Sequence, residues 1–420
     1  MRNKLFLYCV FILFNSSAWA QPQPRAEPWT WEQVRQRFQD NNPTLLAGKL
    51  NVDESKAQEI TAYLRPNPSF SLLQDQINPF GGCSSCGTFS NLLSVATASY
   101  LFERGNKREL RLESAQGATA VAISGQADLE RSLLFSLRSA FVQTLQSKMV
   151  LAETKENLDY YDNVLQVSGE RLKAGDIAQI DLDRLELQRV QYESDLQTAE
   201  VNLRTAKIQL LMLLNDSTPI DQFDVTGPFD VSDQLLPLDE LRKIARDTRP
   251  DLRAAVQAVD KAKADHKLAI ANGFTDPTFS FDGGRNPPIN HYFGVSVSFP
   301  LRIFDRNQGE ILRTQLDIDR NQKLLNATQA RVFSDVDSAY ATLNSNLILL
   351  QPYKAKYLPQ VVKVRDTVTF SYQRGGASLL DFLNAQNDYR RIELNYINLV
   401  GSYLMAANQL NFAVGREAMP

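Results

Sequence analysis

The chain is poor in the residue types on which most catalytic and metal-binding sites depend. Its 420 residues include only two histidines, three cysteines and five methionines, and no catalytic motif such as H-E-x-x-H, G-x-S-x-G or a P-loop occurs. Beyond the first segment, no stretch approaches the roughly 18 consecutive apolar residues of a membrane-spanning helix. These absences argue against an enzyme and exclude a helical membrane protein. We also expect no cofactor and no bound metal.

An excess of positive charge is also missing. The 45 basic residues are slightly outnumbered by 48 acidic ones, for a formal net charge of -3. Proteins that bind nucleic acid concentrate basic residues on one face or along one helix, because contacts to phosphates dominate their affinity. The composition therefore argues against nucleic acid as a partner.

The first twenty residues are typical of an export signal. Arg2 and Lys4 precede an apolar stretch at 5–14, and the segment ends with the small-residue pattern Ala18-Trp19-Ala20. This order is that of a cleavable secretory signal peptide, and the apolar stretch is too short to span a bilayer. The alternative is a lipoprotein signal in which Cys9 is acylated. In both cases the chain is predicted to leave a bacterial cytoplasm.

The chain repeats itself at a distance of about 200 residues. In each copy, apolar and aromatic residues recur with the alternating spacing of three and four that is typical of a coiled-coil seam. The paired positions are Leu182, Leu185, Arg189, Tyr192, Leu196, Ala199, Leu203, Ala206, Leu210 and Leu213, and then Phe382, Ala385, Tyr389, Ile392, Tyr396, Leu399, Tyr403, Ala406, Leu410 and Ala413. A duplicated pair of long helices is therefore predicted.

Short β-strands precede the long helices of each copy. Phe293, Val295, Val297, Phe299 and Leu301 alternate with small residues and proline, a pattern that predicts a strand with one apolar face. The four predicted strands lie near 68–77, 92–102, 277–284 and 291–301. Strands of about ten residues with an apolar face suit tilted transmembrane β-strands.

The order of elements divides the chain into two repeats, each with a helix, two strands and a long helical hairpin. The predicted divisions are a signal peptide at 1–20, repeat 1 at 21–215 with its hairpin at 104–214, a linker at 216–237, repeat 2 at 238–415 with its hairpin at 306–414, and a tail at 416–420. The first helix of each repeat is broken, at Asn42-Pro43 and at Arg249-Pro250. The predicted fold class is mainly α with a transmembrane β part.

Four strands are too few to close a barrel in a membrane. Open strand edges are not tolerated in lipid, because their backbone groups would lack hydrogen-bond partners. Three copies of the chain would supply enough strands for a wide barrel, with the helices extending it as a tube. The alternative from another class is a secreted, soluble coiled-coil or adhesin protein whose strands form a small sheet.

Several strings in this order resemble TolC-type outer-membrane efflux proteins. They are the passage at 299–310 (Phe-Pro-Leu-Arg-Ile-Phe-Asp-Arg-Asn-Gln-Gly-Glu), the string at 248–252 (Thr-Arg-Pro-Asp-Leu), the turn at 375–381 and the string at 383–386. The resemblance covers essentially the whole mature chain and is greatest to the heavy-metal (CzcC-like) branch. It implies a homotrimer with a 12-stranded barrel in the outer membrane and an α-helical barrel in the periplasm. It also implies an exit duct that works with a periplasmic adaptor and an inner-membrane transporter.

The same resemblance implies a periplasmic aperture at the two hairpin turns. Asp381 matches an acidic residue that rings the aperture, and Asn384 occupies the second ring position. The corresponding residues of the first copy are Asp181 and Arg184. A different interpretation, that Asp381 only caps the helix that follows it, stays open at this point.

The resemblance also implies side-chain ties between neighbouring helices at the tip. Asp181 and Tyr372 match two members of such a tie, but Ala377 stands where an arginine is expected. We predict that Asp181 and Tyr372 form a hydrogen bond and that Arg374 replaces the missing arginine.

Glycines occur at both turns. We expect Gly175 and Gly375 to allow positive φ and close backbone approach, and the tip with Gly175, Gly375 and Gly376 to contact the adaptor.

The cysteines and histidines carry little further information. Cys83 and Cys86 lie between the two strands of the first copy and are predicted to form a loop disulfide in an oxidising compartment. His266 and His291 are too far apart and too isolated to indicate a metal site. The cargo of the duct therefore stays open between metal cations, drugs and, as in a type I secretion system, a polypeptide.

Overall fold

The computed structural model describes residues 27–77, 89, 92–232 and 235–417. The predicted signal peptide at 1–20 and the predicted disulfide between Cys83 and Cys86 lie outside the described residues. The described part contains two consecutive sets of elements in the same order, as the duplicated sequence predicts.

Each repeat runs through two helices and two strands into its long helices. The first repeat contains α1 (Trp31–Asn41), α2 (Pro43–Tyr63), β1 (Ser69–Asp75), β2 (Leu93–Leu101), α3 (Lys107–Ala174) and α4 (Gln179–Leu214). The second contains α5 (Leu238–Thr248), α6 (Pro250–Asn272), β3 (Thr278–Asn286), β4 (Ile289–Ser298), α7 (Gln308–Pro352), α8 (Leu358–Gln373) and α9 (Leu379–Val414). The fold is thus mainly helical with one small sheet, which is the predicted class.

The long helices form two hairpins, one from α3 and α4 and the other from α7, α8 and α9. The 68 residues of α3 span about 100 Å at the rise of an α-helix. None of the paired seam positions is exposed, and Leu185, Leu210, Phe382 and Leu410 are fully buried. The predicted seams therefore form the hairpin cores. Among the helices of the described residues, none combines the length and the apolar character that crossing a lipid bilayer would require.

The ascending arm of the second hairpin is interrupted, whereas α3 is continuous. The helix α7 ends at Pro352, and a π-helical turn at Tyr353–Tyr357 leads into α8. Proline lacks a backbone donor and crowds the preceding turn, so the helical hydrogen-bond pattern is disturbed there. The arm therefore continues from α7 into α8 through a wide helical turn.

The four strands form one antiparallel sheet in the order β1-β2-β3-β4, so the two repeats meet where β2 pairs with β3. Phe281 lies opposite Val295 in the register and stacks on Phe293 at a centroid distance of 6.0 Å. Phe293 is 80% exposed and Val295 84% exposed. The predicted apolar face is therefore present and is not covered by the chain's own helices.

The carboxyl ends of α4 and α9 are held by the broken helices of the two repeats. In the first repeat, the Asn42 side chain donates to the carbonyl oxygen of Leu213 at 2.8 Å. In the second, Arg249 donates to the carbonyl oxygen of Ala413 at 3.1 Å. These side chains satisfy carbonyl groups that a helix end leaves free. The same structural position is thus filled by an amide in one copy and by a guanidinium group in the other.

Candidate functional site at the hairpin tips

Both hairpins turn on a glycine with left-handed backbone. Gly175 has φ of 81° and Gly375 has φ of 76°, a region that other residues enter only at a cost. The N–H groups of Gly175 and Gly375 donate to the carbonyl oxygens of Leu172 and Tyr372 at 2.9 and 3.0 Å. The expected positive φ is confirmed.

The expected close backbone approach at these two glycines is wrong. A Cβ atom added to Gly175 or Gly375 would meet no atom within 4 Å. At Gly376 it would lie 3.1 Å from the Ser371 hydroxyl oxygen. The two turn glycines are therefore required by backbone conformation and not by crowding.

Asp381 caps α9 through a reciprocal pair of hydrogen bonds. The Asp381 N–H donates to the Ser378 hydroxyl oxygen at 3.1 Å, and the Ser378 N–H donates to the Asp381 carboxylate at 3.2 Å. The Ser378 hydroxyl also donates to this carboxylate, at 2.6 Å. These bonds lower the pKa of Asp381, which is otherwise exposed to solvent. The capping interpretation is thus confirmed, and a role in the aperture stays a prediction.

The first hairpin lacks this cap. Ala178 occupies the N-cap position of α4 with the same extended backbone as Ser378, and its side chain makes no capping hydrogen bond. Asp181 has the place in α4 that Asp381 has in α9.

We therefore expect Ala178→Ser to stabilise the first tip by about 0.5–1 kcal/mol, because the serine would complete a capping box with Asp181. The reciprocal change, Ser378→Ala, should destabilise the second tip by about 1 kcal/mol. Amide hydrogen exchange of the first turns of α4 and α9 measures both effects within one protein. Opposite signs are expected, and a loss of protection at α4 in Ala178→Ser would contradict the assignment of the cap.

An aromatic contact joins the helices just above the turns. The Tyr372 ring of α8 stacks on the Phe382 ring of α9 at 4.9 Å. From α3, Arg171 places its guanidinium group 5.3 Å from the Tyr372 ring and donates to the Tyr372 carbonyl oxygen at 3.1 Å. The two hairpins of one chain are thus tied together at their tips through Arg171.

The predicted hydrogen bond between Asp181 and Tyr372 is wrong. The Tyr372 hydroxyl is buried and forms no hydrogen bond of good geometry with any residue in the described ranges. Burial raises the pKa of Tyr372, and the nearby Asp181 carboxylate raises it further. The predicted substitute, Arg374, places its guanidinium group 4.2 Å from the Phe370 ring of its own helix. The structure therefore puts Arg171, and not Arg374, beside Tyr372.

The two tips enclose an open cleft of about 550 Å³. Its lining includes Asp181, Tyr372, Gly175 and Gly375 among the predicted site residues. The other predicted residues that the structure describes, Asp381, Asn384, Arg184, Arg374 and Gly376, are exposed and lie outside this lining. The structure thus brings about half of the predicted site together.

A further contact between the hairpins lies above the tips. Arg390 of α9 forms an ion pair with Asp195 of α4 at 2.5 Å, and Tyr160 of α3 forms a hydrogen bond with Thr369 of α8 at 3.2 Å. Sequence reasoning missed these residues because the partners are far apart in the chain. The seam positions of the two copies match at an offset of 200 residues, and this match was the feature of the sequence that could have indicated such contacts.

The described residues contain no group of three or more His, Cys, Asp and Glu side chains suited to holding a metal ion. His266 instead shares a hydrogen bond of 2.9 Å with Thr314. The pair Cys83 and Cys86 is not covered by this statement.

Known proteins are similar to this chain in both sequence and fold. A family model described as outer membrane efflux protein matches residues 241–416. The cobalt-zinc-cadmium resistance protein CzcC of Cupriavidus metallidurans is 23% identical over 397 residues, which cover 94% of this chain and 92% of the relative.

Solved structures share the fold of this chain. The channel protein CusC superposes with a TM-score of 0.78 at 16% identity, covering 92% of both chains. The outer membrane protein VceC of Vibrio cholerae gives a TM-score of 0.75 at 14% identity, covering 92% of this chain and 96% of its own. The outer-membrane channel OprN gives 0.75 at 15% identity, covering 91% of this chain and 89% of its own.

Long paired hairpins continued by a short antiparallel sheet are thus the fold of an outer-membrane channel. The second repeat matches the outer membrane efflux protein family, and the sequence similarity to CzcC extends over most of the chain. The matched family and the proteins that share this fold are outer-membrane efflux and channel proteins, not enzymes.

Proposed function

We propose that three copies of this chain form a passive exit duct, the outer-membrane component of a tripartite efflux system. The observation that carries the proposal is the four-stranded sheet, which has an exposed apolar face and ends at β1 and β4 without a further paired strand in the described residues. Open edges beside lipid leave backbone groups without partners. Three copies joined edge to edge would close a 12-stranded barrel, and the hairpins would continue it into the periplasm.

The outer face of α4 supports assembly with further copies. Apolar residues that the chain leaves exposed recur there at intervals of seven or fourteen residues, at Ile180, Leu187, Val201 and Ile208, and Ser194 occupies the position between the second and the third. Such spacing is typical of a helix-packing seam, and contiguous exposed apolar surface marks an interaction site. We assign this stripe to the contact between neighbouring chains.

The tips are proposed as the periplasmic aperture and as the contact for an adaptor protein. Asp381 and Asn384 of one hairpin and Asp181 and Arg184 of the other are the charged and polar residues that would border the opening. Gly175, Gly375 and Gly376 would form the exposed turns that the adaptor contacts. The open cleft between the two turns supports this assignment, because it offers a recess that both hairpins share.

Heavy-metal cations are the proposed cargo. The support is the relative CzcC, whose name assigns it to cobalt, zinc and cadmium resistance. The chain would act as a conduit for ions expelled by an inner-membrane transporter. A duct of this kind needs no tight binding site, because tight binding slows release.

Membrane fractionation, cross-linking and planar-bilayer recording test this function together. We expect the protein in the outer membrane, extracted only by detergent, cross-linked as a trimer and able to form conducting pores. A monomer in the soluble periplasmic fraction would instead favour the secreted coiled-coil or adhesin alternative. Deletion of the gene should lower tolerance to cobalt, zinc or cadmium. Unchanged tolerance with loss of a secreted polypeptide would favour a type I secretion duct.

The variant Leu187→Asp, Ile208→Asp tests the assembly surface. Two carboxylates on the stripe should abolish the cross-linked trimer, since an unpaired charge in a helix contact is costly. The matched control Glu200→Ala changes an exposed residue of α4 outside the stripe and should leave the trimer intact. A trimer that persists in the double variant would contradict the assignment of this surface.

A further inference from the structure

The sheet has two chemically different faces, because successive residues of a strand point to opposite sides. One face carries the exposed apolar residues described above, such as Phe281, Phe293 and Val295. The opposite face is polar in its central part. The register places four serines side by side there, one from each strand: Ser69, Ser99, Ser280 and Ser296. We call this side of the sheet the serine face.

An aspartate lies beside these serines. The next row of the register consists of Ser71, Thr97, Asp282 and Gly294, again one residue from each strand. Asp282 is two residues from Ser280 along β3 and therefore points to the same side. A Cβ atom added to Gly294 would lie 2.8 Å from Oδ2 of Asp282. The carboxylate thus extends across Gly294, through a space that a side chain at this position would occupy.

The strands supply no lysine or arginine to balance this carboxylate. The strands and their flanking residues, 68–102 and 277–301, contain no lysine and one arginine, Arg285. Arg285 is three residues from Asp282 along β3, so the alternation directs it to the apolar side. Asp75, at the end of β1, adds a second carboxylate to the serine face. No ion pair within the described ranges includes Asp282, and its charge is therefore uncompensated.

Other basic residues near the sheet are paired or lie on the other side. At the base of the sheet, Lys107 pairs with Asp276 at 2.6 Å, and Arg111 pairs with Glu103. The imidazole of β4 belongs to His291, two residues from the exposed Phe293, and so lies on the apolar side. The serine face of the described strands thus has a negative potential.

Charge on the wall of a wide pore acts on the ions inside it. Twelve strands about 4.8 Å apart and tilted by about 40° close a barrel of roughly 12 Å radius. The Debye length is about 10 Å at 0.1 M salt and about 3 Å at 1 M. Carboxylates on the wall therefore act across much of such a lumen at low ionic strength, and only close to the wall at high ionic strength.

We propose that Asp282 makes the serine face attract cations and repel anions, and that it is a charge-selectivity residue of this protein. The role in a pore rests on the proposed function. Three copies would place three Asp282 carboxylates around one lumen, beside a belt of serines. Rings of acidic side chains favour cations in channels. Hydrated divalent cations gain most, because the Coulomb energy with a carboxylate is twice that of a monovalent cation.

A thiol on the serine face measures this potential without any recording of conduction. The full-length protein carries Ser296→Cys together with Cys83→Ser and Cys86→Ser. Ser296 is a diagonal neighbour of Asp282 in the register, about 7–8 Å away. The protein reacts in detergent with a cationic or an anionic methanethiosulfonate, and the ratio of the two rates is compared with that of the same protein carrying Asp282→Asn.

We expect Asp282→Asn to lower the ratio of the cationic to the anionic rate by roughly three- to tenfold at low salt. In 1 M salt the two proteins should react alike, because the charge is screened. Arg285→Gln is the matched control, since it removes one charge from the other side of the same strand, and it should change the ratio less than about twofold. Equal ratios with and without Asp282 at low salt would overturn the proposal.

A second thiol tests the assignment of the two faces. In lipid vesicles, Val295→Cys on the apolar side should react with neither charged reagent, while Ser296→Cys should stay reactive. Comparable rates at the two positions would mean that the sheet does not separate a lipid face from an aqueous face, and the proposal would be wrong.

Reversal potentials across a KCl gradient extend the test to the pore. Wild type should prefer potassium to chloride at low salt, and Asp282→Asn should lower the permeability ratio about twofold or more. Pores whose permeability ratio does not depend on Asp282 would overturn the selectivity role and leave the proposed duct in place. A protein that forms no pores but shows the labelling difference would contradict the proposed function and retain Asp282 as the source of the negative potential.

Discussion

Replacing Arg249 with methionine is expected to lower the free energy of unfolding by about 3–5 kcal/mol, because removing one partner from a buried ionic network leaves the others without compensation. Arg249 is only 2% exposed. Its guanidinium group pairs with Asp251 at 2.6 Å and with Asp335 at 3.0 Å, and it also holds the carbonyl end of α9. The measurement is urea or thermal unfolding of the detergent-solubilised protein.

Arg242 provides the matched control, because like Arg249 it donates two hydrogen bonds to a single aspartate. Both bonds to Asp337 measure 2.8 Å, but the pair lies at the surface. Surface ion pairs contribute little, since water screens them, so Arg242→Met should have a much smaller effect. If the two variants lower the free energy of unfolding equally, the burial of Arg249 makes no difference to its contribution, and the prediction is wrong.

The pH dependence of the Arg249 effect has a definite sign. Burial pushes the pKa of Asp251 upward, but the hydrogen bond and charge of Arg249 more than offset this and hold that pKa below its ordinary value of 3.8. A lowered carboxyl pKa contributes stability above the unfolded value, and this contribution is lost as the pH falls through the folded value. The difference in the free energy of unfolding between wild type and Arg249→Met should therefore become smaller below about pH 4.

Periodicity in the sequence predicts the parts of this fold that depend on local spacing. The seam of α9 from Phe382 to Ala413 and the alternating strand around Val295 could be identified because each period has one structural meaning. The break at Arg249-Pro250 could also be placed, since proline disfavours a helical conformation in the residue before it. These features need no knowledge of which helix lies beside which.

Contacts between the hairpins could not be predicted in the same way. Whether Asp195 meets Arg390, or Tyr160 meets Thr369, depends on how two long helices are rotated about their axes. A small change in that rotation moves a side chain from a contact to the solvent. The prediction for Asp181 and Tyr372 failed for this reason, because the Tyr372 ring turns toward Phe382 and Arg171.

The two hairpins differ in the cap at the tip and in the continuity of the arm that leads to it. The first hairpin has the continuous helix α3 and no side-chain cap at Ala178, while the second has the wide turn after Pro352 and the capping box at Ser378. The capping box satisfies backbone N–H groups at the beginning of α9. The second hairpin thus combines a capped tip with an interrupted ascending arm.

The second large effect is expected for Phe382→Ala. Phe382 is fully buried and stacks on Tyr372 within the cluster that joins the two hairpins. Removing a buried phenylalanine ring costs about 3–5 kcal/mol, from lost burial and from the cavity that remains. The cost falls on the tip, so we expect lower amide protection of α8 and α9 near the turn and a higher open probability in bilayer recordings.

Leu380 is the control for this prediction, because it lies two residues earlier on the same helix and is 67% exposed. Leu380→Ala should change neither protection nor conduction, since little apolar area is lost from the interior. If Phe382→Ala lowers protection at the tip but conducts like the wild type, packing around Tyr372 does not hold the aperture closed. Closure would then depend on contacts above the tips, where Asp195 and Arg390 join the hairpins. If Phe382→Ala raises the open probability and Leu380→Ala does not, the contacts of the aromatic cluster around Tyr372 keep the aperture closed.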